Sequence, residues 1–523
     1  MQFRHLDLST PAKRSDWATD ELMLKIVRPL ESVAVQRAGG PVDLVPGVSL
    51  GSHPHLQADV RLTSVPEAAR DLGNLILPSI LRDDPTVSMP FQFTTSRGGD
   101  PGLTVLELSG VKEKDTVTPD QPLILHTDTP LLPGEQVLPV AFDGEFFLPL
   151  GHARTRYGQT EIILERLPDP TSRGERDLVG SIRILFQKFV SQALKLDFPY
   201  PLLRAATVDD QGHVTYSRPD EVRAQVERAN RILLYVHGII GDTVGMVASS
   251  KTTHLQLNPL PPALGNQYDL ILAFDYENIH TKLEDTARLL KTRLEDVGLG
   301  ADHGKKLDIV AHSMGGLVSR WFIEREGGNR VVRHLAMLGT PNAGSPWPKV
   351  QDWATTSIAL ALNGFTVLGW PLHILGGLVG AVEKVDNALD QMAPGSDFLN
   401  TLTASDDPGV LYTVIAGNTS LRSGVLVTDS VGASLLKRLL AKLSLETLRN
   451  GVTTLAFFGQ PNDIAVSVAS ISTVWRTHTL TPDQLHEAMC DHVTYFSSEP
   501  GLSSLAQAFS SAPVSSNSLL VSE

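Results

Sequence analysis

The fold is decided by residues 306–325, which read Lys-Leu-Asp-Ile-Val-Ala-His-Ser-Met-Gly-Gly-Leu-Val-Ser-Arg-Trp-Phe-Ile-Glu-Arg. Leu307–Val310 is short and mostly apolar, which suits a buried strand, and apolar residues then recur at helical spacing. Between these segments lies a small-x-Ser-x-Gly pattern around Ser313. In this pattern the chain turns so sharply that only small residues fit on either side of the serine. The turn would expose the serine hydroxyl at a helix N-terminus, where developing negative charge is stabilised.

A serine hydroxyl is a poor nucleophile at neutral pH. It needs a base, an acid that orients the base, and hydrogen-bond donors for the oxyanion. By itself the pattern around Ser313 also fits a glycine-rich turn without chemistry. After a strand-turn-helix serine, the acid and then the histidine come later in the chain, each on a loop after a strand. The candidates are therefore sought downstream of Ser313.

His492 is the leading candidate for the base, because it follows a predicted strand, Val474–Thr477. A surface-loop histidine without function is the competing interpretation. His486 is the reserve candidate, on a helix predicted after a Thr-Pro-Asp turn. The remaining downstream histidines open, end or lie inside apolar runs, and we interpret them as structural: His334, His373 and His478.

Asp463 is the leading candidate for the orienting acid. It comes straight after the apolar run Leu455–Phe458, so its carboxylate would lie at the carboxyl end of a strand, where sites in open α/β sheets are built. An ordinary Asn-Asp turn is the competing interpretation. Asp491 is a weaker alternative, because adjacent residues rarely orient each other's side chains.

Two backbone N–H groups are expected to hold the oxyanion. One belongs to Met314, directly after the serine, and the other to Ile239, in the loop after the predicted strand Ile232–Val236. Gly238 permits the turn of this loop. His237 is expected to hold the loop by a hydrogen bond and to transfer no proton.

Several segments carry a family resemblance: His237-Gly238, Ala311–Gly316, Leu338–Pro346, Met392–Leu399 and His492–Phe496. Together they resemble α/β-hydrolases of the lipase and esterase type over about residues 228–510. Bacterial lipases, lecithin–cholesterol-type acyltransferases and glycosylphosphatidylinositol deacylases are similar. Two departures are visible. Ala311 replaces the first glycine of the turn, and Ile464-Ala465 follow Asp463 where such lipases often have Gly-Val or Gly-Leu.

The resemblance implies a serine carboxylic-ester hydrolase that acts on lipid or other apolar acyl esters through an acyl-enzyme. An acyltransferase with the same triad remains open as an alternative. So does a non-enzymatic interaction protein that uses a hydrolase fold as a scaffold.

Composition narrows the functional classes. The chain has 523 residues and a formal net charge of −14, so two or more domains are expected and nucleic acid is a disfavoured partner. Cys490 is the single cysteine, and the N-terminal sequence lacks the pattern of a signal peptide. We therefore predict a cytoplasmic protein without internal disulfides. No phosphate-binding loop or metal-ligand pattern is seen in the sequence, so neither a metal nor another cofactor is predicted.

Ser357–Val382 contains no charged residue and is long enough to span a bilayer. Glycine and proline interrupt it, and it lies between Ser313 and Asp463, which must meet in one site. We interpret it as part of a cap over the acyl pocket, with Leu375 and Leu378 as substrate-binding residues. Such a cap would also allow transient contact with a membrane surface.

The predicted fold class is α/β: an α/β-hydrolase fold, mostly parallel sheet flanked by helices, with a helical cap. A β-rich N-terminal domain of unknown role and unknown protein partner is predicted over residues 1–200. The hydrolase domain is predicted over residues 201–510, with the cap at about 345–405, and residues 511–523 are predicted to be a disordered tail. Helical spacing also predicts helices over Val65–Ile80 and Ile182–Leu196.

Overall fold

Two antiparallel sheets occupy the N-terminal part of the chain in the computed structural model. Their strands, β1 to β12 in chain order, are Val33–Val35, Val42–Val45, Val48–Leu50, Gln57–Val65, Ser88–Pro90, Leu103–Lys112, Leu123–Thr127, Glu135–Phe142, Phe147–Pro149, Gly151–Arg156, Gln159–Leu164 and Ser181–Val190. The seven-stranded sheet has the order β1-β4-β6-β12-β8-β9, with β5 paired to β12, and the five-stranded sheet has the order β10-β11-β7-β3-β2. The predicted β-rich character of this region is confirmed.

The structure describes residues 33–35, 40–65, 78, 81, 88–93, 103–132, 135–170, 181–190, 201–239, 243–255, 257–276, 281–347, 350–363, 388–421, 438–439, 441–443 and 460–510. Several predicted features lie outside these residues. They are nearly all of the predicted helix Val65–Ile80, the apolar run Leu455–Phe458, residues 364–382 with Leu375 and Leu378, and the tail 511–523.

The helix predicted over Ile182–Leu196 is wrong where the structure describes it. Residues 181–190 form β12, which pairs with β6 on one side and with β8 on the other. Ile182, Ile184 and Phe186 lie two residues apart and are all buried, so the same apolar residues satisfy a strand period as well as a helical one. Pairing on both sides and branched or aromatic side chains favour the strand.

An eight-stranded sheet follows in the second part of the chain. Its strands, β13 to β20, are Leu202–Val208, Val214–Tyr216, Arg231–Val236, Leu270–Asp275, Lys306–His312, His334–Leu338, Leu411–Gly417 and Leu485–Ala488. The order is β14-β13-β16-β15-β17-β18-β19-β20. The last six strands in this order, β16, β15, β17, β18, β19 and β20, run parallel to one another. Residues 232–236 of β15 are fully buried, as expected for a parallel strand covered on both faces.

Helices connect these strands. In chain order, α1 to α9 are Val222–Arg228, Val244–Ala248, Leu283–Asp296, Met314–Arg325, Val350–Leu362, Ala388–Met392, Asp397–Thr403, Val468–Ser472 and Glu499–Ser510. The helix predicted after Ser313 from the spacing of Leu317, Trp321 and Phe322 is α4, in which Leu317 and Phe322 are buried and Trp321 is half-buried. Helices α5, α6 and α7 lie in the insertion between β18 and β19. No helix among the described residues combines the length and the apolar character needed to cross a bilayer.

His334, the first residue of β18, makes the fold sensitive to acid. It is fully buried and its Nε2 lies 2.9 Å from Thr413 Oγ1. Burial lowers the pKa of His334 to about 4, against an opposing effect of Asp308. The unfolded chain therefore binds a proton between pH 6.5 and 4 that the folded chain does not, so stability is lost as the pH falls through this window.

We expect the free energy of unfolding to fall by about 2 kcal/mol between pH 7 and pH 5 because of His334 alone. Denaturant unfolding of the wild type and of His334→Gln at both pH values measures this as the difference between their pH dependences. An equally steep pH dependence in His334→Gln would contradict the assignment.

Candidate active site

Ser313 lies at the junction of β17 and α4 in a strained backbone conformation, with φ 52° and ψ −127°. Its N–H donates to Leu338 O at 2.8 Å, which fixes the turn against β18. A side chain on Gly238 would begin 2.7 Å from Ser313 Cβ, and one on Gly315 would begin 2.3 Å from His237 O. Small residues are therefore required around the serine, for the reason that the sequence pattern suggests.

The structure brings Ser313, His492 and Asp463 together. His492 Nε2 lies 2.9 Å from Ser313 Oγ, and His492 Nδ1 lies 2.8 Å from Asp463 Oδ2. All three residues are buried, with Asp463 fully inaccessible to solvent. Because Nδ1–H donates to the carboxylate, Nε2 is left as an acceptor for the serine hydroxyl. The chain of hydrogen bonds can draw a proton away from Ser313.

Asp463 is held by a dense set of donors. Its Oδ1 accepts hydrogen bonds from the N–H groups of Ala465 and Val466, at 3.1 and 2.7 Å, and its Oδ2 accepts one from Tyr495 Oη at 3.0 Å. These donors favour the ionised carboxylate. The next residue, Ile464, has φ 81°, a conformation strongly disfavoured for a β-branched side chain. Ile464 thus adopts a glycine-like backbone conformation, and this conformation is strained.

The strand that precedes His492 differs from the one predicted, whereas the run predicted before Asp463 lies outside the described residues. Asp463 lies beside the end of β19, because Thr419 N–H donates to Asn462 O at 2.9 Å. No strand forms over Val474–Thr477, and the strand that precedes His492 is β20. β20 is the last strand in the sheet order and has a polar sequence, so it lacks the apolar run by which strands were predicted.

The two reserve candidates have other positions. His486 lies in β20 and not on a helix, so that prediction is wrong. Asp491 Oδ1 accepts hydrogen bonds from Val493 N–H at 3.2 Å and Thr494 Oγ1 at 3.0 Å. This carboxylate therefore orders the turn that carries His492, whereas the ring of His492 is bonded to Asp463.

Sequence reasoning assigned no role to His312 or Tyr495. His312 Nε2 lies 2.8 Å from His492 O, and burial together with the nearby His492 holds the pKa of His312 well below its ordinary value. His312 is therefore neutral and donates to that carbonyl. Tyr495 Oη accepts from Gly417 N–H at 2.6 Å while it donates to Asp463. The three-residue spacing from His492 to Tyr495 is the only sequence signal for this contact.

The loop after β15 lies over the serine. His237 Nδ1 contacts Gly238 O at 2.7 Å, and its Nε2 accepts from Tyr276 N–H at 3.2 Å. His237 thus joins the loop to the residue after β16. Ile239 lines the same pocket as Ser313. Met314 begins α4, and the first N–H groups of a helix have no partner within the helix.

A buried ion pair fixes the far end of this loop. Arg204 Nη2 lies 2.6 Å from Asp275 Oδ2, and both side chains are almost inaccessible to solvent. Asp275 Oδ1 also accepts from Thr243 N–H at 3.1 Å and from Thr243 Oγ1 at 2.9 Å. The chain that leaves the loop is therefore anchored to β13 and β16.

The pocket above Ser313 and His492 is mainly apolar. Its lining residues are Ile239, Ser313, Pro341, Ser345, Trp347, Trp353, Met392, Ala465, Val466 and His492. Trp353 packs edge-to-face against His492 with ring centroids 5.6 Å apart. The walls come from the loop after β15, from the insertion after β18 and from the turn that holds Asp463.

Gly339 tests how closely the triad is packed. It has φ 62°, and a Cβ added there would lie 2.9 Å from Asp463 Oδ2 and 3.0 Å from His492 Nδ1. For any reaction in which Ser313 is the nucleophile, we expect Gly339→Ala to lower kcat about a hundredfold, because displacement of reacting groups by about 1 Å has effects of this size. Gly395→Ala is the matched control, since Gly395 has φ 79° and nothing lies within 4 Å of its added Cβ. Equal kcat values for the two variants would contradict the prediction.

Residues 202–510, more than half of the chain, match a family described as a domain of unknown function, DUF7379. The chain belongs to this family. A search of curated proteins gives no match. Within this DUF7379 chain, the matched residues include the whole eight-stranded sheet and every residue of the site described above.

Solved structures similar to this DUF7379 protein include lipases, a phospholipase and carboxylesterases. One is lipase BlEst2 of Bacillus licheniformis in mature form, with 19% identity and a TM-score of 0.31, covering 53% of this chain and 90% of that one. Phospholipase PlaB of Legionella pneumophila has 19% identity and a TM-score of 0.27, and 46% of each chain is covered. Lipase B of Aspergillus fumigatus has 14% identity and a TM-score of 0.23, covering 36% of this chain and 37% of that one.

Proposed function

We propose that this protein is a serine carboxylic-ester hydrolase with an α/β-hydrolase fold. The hydrogen-bonded row Ser313 Oγ, His492 and Asp463, with links of 2.9 and 2.8 Å, is the observation that carries the proposal. Six parallel strands with the serine turn after β17 support the fold assignment. The chain order serine, aspartate, histidine is the order of that fold.

In the proposed reaction, His492 Nε2 takes the proton of Ser313 as Oγ attacks the ester carbonyl. Asp463 holds the imidazole with Nδ1–H toward the carboxylate and stabilises the imidazolium that forms. The N–H groups of Met314 and Ile239 are the proposed oxyanion donors, and one such donor contributes about a hundredfold to a thousandfold in kcat. The imidazolium then protonates the leaving alcohol, and water attacks the acyl-enzyme to release the acid.

The proposed substrates are lipid or other apolar esters, because the pocket walls are mostly aliphatic and aromatic. The insertion after β18 is the proposed cap, and Leu375 and Leu378 are its proposed substrate-binding residues. Each methylene buried in such a pocket contributes about 0.8 kcal/mol, so KM should fall several-fold as the acyl chain is lengthened by one or two carbons. Transient membrane contact through the cap also belongs to this proposal.

A fluorophosphonate probe tests the proposed nucleophile directly. We expect the wild-type protein to be labelled covalently on the peptide that contains Ser313, and labelling to disappear in Ser313→Ala. Labelling on another serine, or no labelling of the folded protein, would contradict the proposed function.

Hydrolysis and acyl transfer differ in whether water or an alcohol accepts the acyl group. The resemblance to lecithin–cholesterol-type acyltransferases is the reason to test transfer. Incubation of an apolar ester with the enzyme and a second alcohol should give free acid as the main product. A dominant new ester would establish transfer on the same serine.

A further inference from the structure

Helix α5 lies between the active-site pocket and the β-rich N-terminal region. Every residue from Asp352 to Leu362 is buried, so this helix has no solvent-exposed face over that range. One of its residues, Trp353, lines the pocket and packs against His492. The position of α5 therefore sets the position of one pocket wall.

The end of α5 is fastened to the edge of the seven-stranded sheet. Asn363 Oδ1 accepts from Phe147 N–H at 2.9 Å, while Asn363 Nδ2 donates to Phe147 O and to Ala359 O, each at 2.8 Å. Phe147 belongs to β9, which is the last strand of its sheet. The amide of Asn363 thus takes the place of a neighbouring strand and satisfies both backbone groups of an edge residue.

Arg166 also contacts this hairpin. Its side chain is mostly buried and donates to Pro149 O at the end of β9, at 3.3 Å. Burial lowers the pKa of Arg166, and the carboxylates of Glu165 and of Asp352 on α5 oppose this lowering. Strand β9 packs against α5, and the hydrogen bonds of Asn363 with Phe147 hold the C-terminal end of the helix.

A second segment of the hydrolase part reaches the tip of the same hairpin. Lys442 pairs with the buried Asp143 and lies 5.7 Å from the ring centroid of Phe146. Arg438 Nη2 lies 2.8 Å from Glu145 Oε1. The turn between β8 and β9 is thus held by a segment that precedes Asp463 in the chain, as well as by α5.

We propose that the β8–β9 hairpin, residues 135–149, positions α5 and thereby determines which acyl chains the pocket accepts. Asn363 is the main positioning residue of this contact. The inference rests on the proposed esterase function for its substrate class. It assigns the β-rich region a role inside the enzyme, as the outer support of the pocket wall.

Full-length Asn363→Ala tests the proposal by kinetics. KM for nitrophenyl dodecanoate should rise about fourfold, the effect of losing the burial of roughly one methylene of the acyl chain, with little change for nitrophenyl butyrate. The kcat values should stay near the wild-type level, because the triad is untouched. Arg61→Ala is the control, since Arg61 lies in the β-rich region but pairs with Glu107 inside its own sheet at 2.6 Å. Equal KM changes for the two esters, or an equal effect of Arg61→Ala, would overturn the proposal.

Hydrogen exchange gives a readout that does not depend on activity. In Asn363→Ala, amides of α5 should exchange faster, whereas those of α4 should keep their wild-type rates. Unchanged rates in α5, or equal acceleration of both helices, would overturn the positioning role. If the wild type neither binds the fluorophosphonate probe nor cleaves esters while α5 still responds, the proposed function fails and the structural contact stands.

Asn363→Asp is the second variant, used if Asn363→Ala does not fold. It keeps the shape of the side chain and the acceptor for Phe147 N–H. Its carboxylate replaces the donor that faces the Phe147 and Ala359 carbonyls. The same change in the KM ratio and in α5 exchange is expected, and wild-type values of both would contradict the proposal.

Discussion

Replacement of Ser313 by alanine is expected to lower kcat for apolar esters by about a hundred-thousandfold or more. The hydroxyl that is removed is the one that lies 2.9 Å from His492 Nε2, and no acyl-enzyme can form without it. The fold should persist, because alanine is small enough for the turn and the Ser313 N–H bond to Leu338 O does not involve the side chain. Steady-state kinetics of the purified variant, with circular dichroism as a check of folding, measures the effect.

Ser345→Ala is the matched control for that experiment. Ser345 also lines the pocket and is buried, but its Oγ donates to Ala465 O at 3.1 Å. The Ser345 hydroxyl therefore bonds to a backbone carbonyl, whereas the Ser313 hydroxyl faces His492. Loss of the Ser345 hydroxyl should change kcat less than about tenfold. Retention of more than about a tenth of the wild-type kcat in Ser313→Ala would remove Ser313 as the nucleophile.

The serine turn was predictable because its requirements are local. Residues around Ser313 must be small because the strand turns very sharply into the helix. A Cβ added at Gly238 or Gly315 would lie 2.7 Å from Ser313 Cβ or 2.3 Å from His237 O. The positions of Asp463 and His492 followed from chain order and from loops after apolar runs. The strand predicted before His492 was wrong, because β20 is an edge strand with a polar sequence, Leu-His-Glu-Ala.

Other features depend on tertiary contacts that no local pattern encodes. The hydrogen bond from Tyr495 to Asp463 and the hydrogen bond from His312 to His492 O exist only after β17, β19 and the last loop come together. β12 satisfied a helical period and a strand period at once, and its two neighbouring strands decided between them. The support of α5 by the β8–β9 hairpin joins residues more than two hundred positions apart.

Ile464 occupies a strained backbone conformation at a position where glycine would be expected. Its φ of 81° costs about 1–3 kcal/mol for a non-glycine residue. The conformation is retained because its N–H donates to Asn462 Oδ1 at 2.8 Å and its side chain is buried. The same turn points two backbone N–H groups at Asp463 Oδ1, so the strain accompanies the arrangement that holds the acid.

Asp463→Asn is expected to lower kcat by about ten-thousandfold. Because Asp463 Oδ1 accepts from Ala465 and Val466 N–H, the asparagine oxygen should take that position and its NH2 group should face His492 Nδ1. An amide donor there forces Nδ1 to accept, so the proton moves to Nε2 and the ring can no longer take the serine proton. Asp491→Asn is the matched control: its oxygen can still accept from Val493 N–H and Thr494 Oγ1, so kcat should fall less than about tenfold.

Each of the two asparagine variants differs from the wild type by the loss of one carboxylate and hardly at all in side-chain volume. Their kcat values and rates of fluorophosphonate labelling can therefore be compared directly. A severe loss in Asp491→Asn with near wild-type turnover in Asp463→Asn would transfer the orienting role to Asp491. Equal severe losses would mean that the turn ordered by Asp491 is as important as the contact of 2.8 Å between His492 and Asp463, which contradicts the prediction. The expected pattern, a loss confined to Asp463→Asn, follows from the tautomer of one imidazole ring.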